Sequence, residues 1–534
     1  ANDLVRQGWA VVTPAGEHGA RLEALVQALV RARAEDQRAD VLSIRVPPGM
    51  DAAAATAWKK DVYPTLYGED EARRPRYLLI LGDLDQVSLE TQQVLAQDGF
   101  PGRLACANDD GYAAYADKVL AWQRRPPAHD RARALFYTVH DGTSATTAGH
   151  AKLIQPCHDR CARAARDNAR AFPASTVEAH GAQLPDPDEL RALAAARHPS
   201  VLLSMSHGLG PPRRRPWSPA EARQHQGAMS FGSEGALTGK DVAASPFLPG
   251  GLWIYFACFG AGTPHASAYH HWLAMLAQSG MTELRPVSAT LAGLDAGGGF
   301  VSGLAKAALG NPDGPLAILG HVDLAWSYSY EELRVGHAGD ARHITGSNRS
   351  LNFYHLMTKL VAGERAGAAQ LALRRVLGDV EAELLANYDR RQRTGDGATP
   401  EDTLALGNLW MLHQDLLGYA LLGDPAVRLP LAAHDARETT ARTAPTSVAT
   451  SVATSAADRS SRGTPGVHGG AVDAGALDRL ERAVLAMLAN GESPGVVAMQ
   501  LGVPRSEVTS AAEAYRDAGR AALSALLAQR AKEP

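Results

Sequence analysis

The chain has little of what would mark a secreted, membrane-spanning or nucleic-acid-binding protein. Four cysteines among 534 residues make no disulfide framework. The first residues lack the basic start and apolar core of a secretory leader, so a reducing cytoplasm is the expected setting. No run approaches the roughly 20 apolar residues that cross a bilayer, so no membrane partner is expected. A formal net charge of -4 argues against an electrostatic grip on nucleic acid by the chain as a whole. Phosphate-cradling loops are missing too, because Gly297-Gly298-Gly299 after Leu294-Asp295-Ala296 has neither the P-loop lysine nor the dinucleotide pattern. No cofactor is expected.

What remains is a composition with 45% hydrophobic residues, that of a soluble globular protein, in a chain too long for one ordinary core. The abundance of Ala, Arg and Gly suggests a GC-rich bacterial source. Two apolar runs each end in a chemically reactive residue. Val201 to Ser206 leads into His207-Gly208-Leu209-Gly210, and Leu252 to Ala257 leads into Cys258-Phe259-Gly260-Ala261-Gly262. A continuous apolar run stopped by small turn residues reads as a buried parallel strand, which ends at the sheet edge where open α/β folds bind ligands. An imidazole and a thiol on neighbouring strand ends would meet within hydrogen-bond reach, where the base generates a thiolate.

The surrounding pattern is α/β. Strand-like Trp9–Thr13, Val41–Val46 and Arg76–Asp83 alternate with helix-like Arg21–Arg33, and a second series starts at Ala132–Thr138. It continues through helices over Pro156–Phe172, Glu189–Ala196 and Ala268–Gln278 and a strand at Leu316–Leu319. From Leu351 to Leu422 the pattern is mostly helical, and Leu421–Pro430 closes the region as a short strand. Residues 434–472 are rich in Thr, Ser, Ala, Gly and Pro and read as a flexible linker. In 473–534, Leu477–Ala489 gives one amphipathic helix, Ser493-Pro494 starts a second, and Pro504-Arg505-Ser506-Glu507 starts a third, the pattern of a helix-turn-helix.

Taken together, these pieces resemble the gingipain-type cysteine peptidases of the caspase-like clan, in which the histidine lies about fifty residues before the cysteine. Tyr77–Asp85 is similar to that family's strand ending in Val-Gly-Asp, and Pro101–Cys106 with Tyr115 and Lys118 to its next strand and helix. Ser206-His207-Gly208 and Phe256-Ala257-Cys258 stand at the catalytic positions, Ile318–Ser327 matches a later strand with its tryptophan, and Leu422–Pro425 matches the closing Gly-Asp-Pro. The resemblance implies a caspase-like parallel-sheet catalytic domain over 131–433, preceded by an α/β subdomain over 1–130. It also implies a Cys-His endopeptidase acting on a protein substrate, in a bacterial defence or regulated cell-death pathway.

The residue roles follow on the same basis. Cys258 would be the nucleophile, His207 the base and then the acid, and the Gly208 N–H with that of Cys258 the oxyanion hole. Asp141, in Val139-His140-Asp141-Gly142, stands where the family has an acid that orients the histidine, and Trp326 where a tryptophan lines the primary specificity pocket. Arginine-cleaving relatives carry a carboxylate at the pocket base, and Thr143–Lys152 has no acid, so a P1 preference other than arginine is expected. His150, Lys152 or Arg213-Arg214-Arg215 would favour an acidic P1. Cys157 and Cys161 share one helical face without a second ligand pair, which reads as core packing rather than metal. His265, His270 and His271 read as surface. The C-terminal module balances acids against bases and would dock a regulatory protein or DNA. The competing reading is a non-catalytic scaffold or DNA-binding regulator that keeps the fold.

Overall fold

The computed structural model describes residues 2–181, 185–212, 217–278, 287–288, 291, 294, 298–331, 349–394 and 400–432. The expected linker, the helix-turn-helix module and the Arg213–Arg215 loop lie outside these residues. The described residues belong to one compact unit spanning Ala1–Pro445. None of their helices is long and apolar enough to cross a membrane.

The architecture is a ten-stranded, mostly parallel sheet with helices on both faces. Its strands are β1 (Trp9–Pro14), β2 (Leu42–Val46), β3 (Tyr77–Leu81), β4 (Phe100–Leu104), β5 (Ala132–Thr138) and β6 (Ala174–His180). They continue with β7 (Ser200–Met205), β8 (Leu252–Phe256), β9 (Ala317–His321) and β10 (Tyr419–Gly423). Across the sheet the order is β2-β1-β3-β4-β10-β9-β8-β7-β5-β6. Burial explains why apolar runs form the interior strands: β1, β3, β7, β8 and β9 are buried at every residue, as a sheet covered on both faces requires. The edge strand β6, Ala-Ser-Thr-Val-Glu-Ala-His, is buried only at Ala174 and carries no such apolar run.

The two halves of the chain share this sheet through β10, which lies antiparallel to β9 and parallel to β4. Their junction is tight, since a Cβ on Gly102 in β4 would lie 2.4 Å from the Gly423 carbonyl oxygen. Only glycine fits there. The expected strand over Leu421–Pro430 starts earlier and stops at Gly423, because Pro425 has no N–H for a ladder. The expected helix over Arg21–Arg33 is two helices, Glu17–Leu25 and Gln27–Gln37, interrupted at the buried, non-helical Val26.

Past β10 the fully buried Asp424 ties the ends of the unit together. Its carboxylate accepts from Arg33 Nε (2.8 Å) and Nη2 (2.7 Å), from Trp9 Nε1 (2.9 Å) and from the Ala426 N–H (2.9 Å). The Asp424 N–H donates to the Tyr115 hydroxyl oxygen at 2.6 Å. Burial works against the Arg33 charge, but Asp424 and Asp36 outweigh it and hold the guanidinium ionised. The closing Gly-Asp-Pro is thus a clamp between the first and last strands. Removing one partner strands a buried charge, so Asp424→Ala should cost about 3–5 kcal/mol. Chemical denaturation of variant and parent checks this, and a loss under about 1 kcal/mol contradicts the clamp.

Candidate functional site

Chain order sets where the site lies. From β5 the chain moves outward to β6 and then returns to lay β7 on the other side of β5, so the crevice at the carboxyl ends of β5 and β7 is a topological switch point. Asp141 follows β5, His207 follows β7, and Cys258 follows the adjacent β8. Parallel pairing of β7 with β8 runs to Met205 opposite Phe256, so both strands end at the same level. The Ser206 N–H donates to the Phe256 carbonyl at 3.3 Å just beyond.

Here two backbones touch. A Cβ on Gly208 would lie 1.7 Å from the Cys258 carbonyl oxygen and 3.3 Å from its nitrogen, so no side chain fits at position 208. His207 and Gly208 are held by a small antiparallel sheet with Met229–Ser230 and Ala236–Leu237, which the sequence pattern did not reveal. The turn after β8 is strained. Phe259 has φ of 57°, in the left-handed region, and its buried ring packs among Tyr269, Leu273 and Leu276. Asp323, with φ of 79°, accepts the Phe259 N–H on its carbonyl at 2.7 Å. Its side chain accepts from the Leu324 N–H (2.8 Å) and the Ala268 N–H (3.2 Å). Burial pushes the Asp323 carboxyl up to about 6.

The Cys258 thiol is half-buried and donates to the Ala325 carbonyl at 3.7 Å. Burial first, then the Asp323 and Asp415 charges, push it up to about 11. The His207 ring is engaged by a hydroxyl and a carboxylate. Its Nε2 lies 2.9 Å from the Thr143 hydroxyl and 3.8 Å from Asp141 Oδ2. Burial tends to raise the Asp141 carboxyl, but hydrogen bonds from Thr146 and Thr143 and the His207 charge outweigh it and hold it below its ordinary value. The structure therefore brings Asp141 to His207 and the Gly208 backbone to Cys258, while the thiol itself is bonded to Ala325.

The segment after Asp323 forms a further wall. Trp326 is half-buried against Tyr269, with ring centroids 6.0 Å apart. Its backbone N–H donates to Asp415 Oδ1 at 2.8 Å, and Asp415 Oδ2 accepts from the backbone N–H and hydroxyl of Ser329. Asp415 and His321 are both fully buried, with His321 Nε2 3.3 Å from Asp415 Oδ1. Burial disfavours the imidazolium, yet Asp415 outweighs it and raises His321 above its ordinary value. The sequence reading missed this pair, which lies on an apolar strand and a helix with no local motif.

Lys152 does not stand alone. Its ammonium pairs with Glu331, whose side chain is only 9% exposed. The Thr143–Lys152 stretch has no acid of its own, but the fold supplies one from a segment nearly 180 residues away. His150 bonds Thr138 and packs on His140, and burial followed by that neighbour keeps it below its ordinary value. Cys157 and Cys161 are both buried on the face of the helix Gln155–Asp167. His265, His270 and His271 are exposed. Among the described residues no three His, Cys, Asp or Glu side chains are grouped to hold a metal.

No protein-family model matches the chain, and no curated protein does. Among solved structures it is similar to the Arg-specific cysteine proteinase gingipain R (RgpB), at 12% identity over 79% of this chain and 78% of that one, with a TM-score of 0.42. It is similar also to a complex of Porphyromonas gingivalis RgpB pro- and mature domains, at 12% identity over 79% and 80%, with a TM-score of 0.43. A structure described only as a protease matches at 12% identity and a TM-score of 0.42. Likeness at this level leaves the chemistry to the residues of the site.

Two outcomes follow from the geometry. Gly208→Ala should lower any Cys258-dependent turnover by about 100-fold or more, since the close approach would have to open. Alkylation of Cys258 by iodoacetamide should be slow at neutral pH and rise about tenfold per pH unit toward about pH 11. Fast labelling at pH 7 contradicts the second.

Proposed function

We propose that the chain is a cysteine endopeptidase that cleaves a protein substrate through an acyl-enzyme. The observation that supports this most is the contact of the Gly208 and Cys258 backbones next to His207, whose imidazole is engaged by Thr143 and Asp141. For reaction the thiol turns from Ala325 to the His207 ring and loses its proton to it as sulfur bonds to the substrate carbonyl carbon. The Gly208 and Cys258 N–H groups stabilise the oxyanion. As the tetrahedral intermediate collapses, the C–N bond breaks and His207 gives the proton to the leaving amine. Water then attacks with His207 as base, and the C–S bond breaks to restore the thiol.

In this reading Trp326 lines the P1 subsite and the Lys152–Glu331 pair closes it. Because Lys152 already pairs with Glu331, a basic P1 side chain that reaches for this acid must compete with an internal cation, and arginine is disfavoured. The C-terminal module would recruit a regulatory protein or DNA, and the resemblance suggests a bacterial defence or regulated cell-death setting. The scaffold reading draws support from one observation, the resting thiol bonded to Ala325 with its proton firmly held.

The deciding experiment incubates the protein and its Cys258→Ala variant with a bacterial lysate and maps new peptide termini by mass spectrometry. New termini dependent on Cys258 support the peptidase. Identical maps, together with equal labelling by a thiol-directed probe, favour the scaffold. In a peptide library, Lys152→Met should shift cleavage toward Arg and Lys at P1 by about tenfold, as it leaves Glu331 uncompensated. An unchanged profile removes the pair from the subsite.

A further inference from the structure

We infer that Thr143 is a positioning residue whose hydroxyl relays the Asp141 charge to His207 and sets which ring nitrogen carries the proton. The Thr143 Oγ1 lies 2.8 Å from Asp141 Oδ1, 2.9 Å from His207 Nε2 and 3.0 Å from Thr146 Oγ1. A threonine hydroxyl has one proton and two lone pairs, so these contacts admit few assignments.

Asp141 is held below its ordinary value and is ionised near neutrality, so it only accepts. The Thr146 hydroxyl has Asp141 Oδ1 as its nearest acceptor at 2.7 Å, ahead of the Thr143 carbonyl at 3.2 Å, and the Thr143 N–H donates to the same carboxylate oxygen at 3.1 Å. We assign the Thr143 hydroxyl proton to the ionised carboxylate, the stronger and nearer acceptor at 2.8 Å, which leaves a Thr143 lone pair toward His207. Nε2 is therefore the protonated nitrogen. The placement of Asp141 Oδ2 at 3.8 Å agrees, because a lone pair on Nε2 would face a carboxylate. Nδ1 is left as the basic atom. The hydroxyl bridges two unlike environments, since the Asp141 side chain is 4% exposed and that of His207 is 40% exposed.

The consequence for catalysis rests on the peptidase reading, but the tautomer does not. Nitrogen-15 NMR of the histidine-labelled full chain near pH 8, with His207→Gln for assignment, reads it directly. The native protein should show the Nε2–H form. Thr143→Val, which keeps shape and removes the hydroxyl, should lose that preference and lower kcat about 10- to 100-fold with KM within about threefold. Thr143→Ser should restore both. Thr143 also caps the helix Ser144–Gly149, so thermal melts accompany the series. An Nδ1–H form in the native protein overturns the inference whatever the variants do. A native tautomer in Thr143→Val overturns it as well. Should the protein cleave nothing, the peptidase reading falls and the tautomer still decides this one.

Discussion

Everything at the site depends on two adjacent parallel strands ending at one level with nothing between their exits. Neighbouring strands lie about 4.8 Å apart, so chains leaving β7 and β8 must diverge unless one of them lacks a side chain. Gly208 is that residue. The other chain pays in conformation: Phe259 takes a left-handed turn that a bulky residue avoids, and the hydrogen bond to the Asp323 carbonyl and burial of the ring offset it. Strain of this kind persists only where packing over-determines it, and the helices Tyr269–Gln278, Leu377–Thr394 and Pro400–Leu417 supply that packing.

The same packing explains the state of the thiol. A half-buried sulfur packed on apolar side chains, with the Asp323 and Asp415 carboxylates near, keeps its proton, and burial of the wall behind it raises the stakes for every polar group there. His321 answers Asp415 inside that wall, which lets Asp415 hold the Trp326 and Ser329 backbones without leaving an unpaired charge. Position and reactivity thus pull against each other at Cys258. The imidazole is the group that can reconcile them, because it lies on the wetter side of the crevice.

How much of this was legible depended on how local each signal was. The strands β1, β3, β5, β7, β8 and β9 announce themselves as continuous apolar runs, and the turn glycines mark where they stop. Strand β6 escaped because its alternation of Ala, Ser, Thr and Glu carries too little apolar weight. Reactive residues at strand ends, Asp141, His207 and Cys258, could be named from pattern and resemblance together. Thr143 could not, since a threonine beside Asp-Gly reads first as turn chemistry. Glu331, His321 and Asp415 act through partners 86 or more residues distant, and a single sequence holds no record of such pairings. The clamp role of Asp424 was hidden likewise: Gly-Asp-Pro looks like punctuation until Arg33 is seen across it.

The two sides of the crevice differ in a way that assigns work to the substrate. On the Cys258 side the thiol and Trp326 are half-buried, Phe259 and Asp323 are buried, and the backbone is fixed by strain and packing. On the His207 side Thr143 is exposed and the ring is 40% exposed, so water competes for the bond that orients it. A peptide lying across the crevice would displace that water and strengthen the Thr143–His207 bond, because a hydrogen bond gains as the local dielectric falls. On the peptidase reading, binding would then tighten an arrangement that the free protein holds only in part, which couples occupancy of the crevice to the orientation of the imidazole.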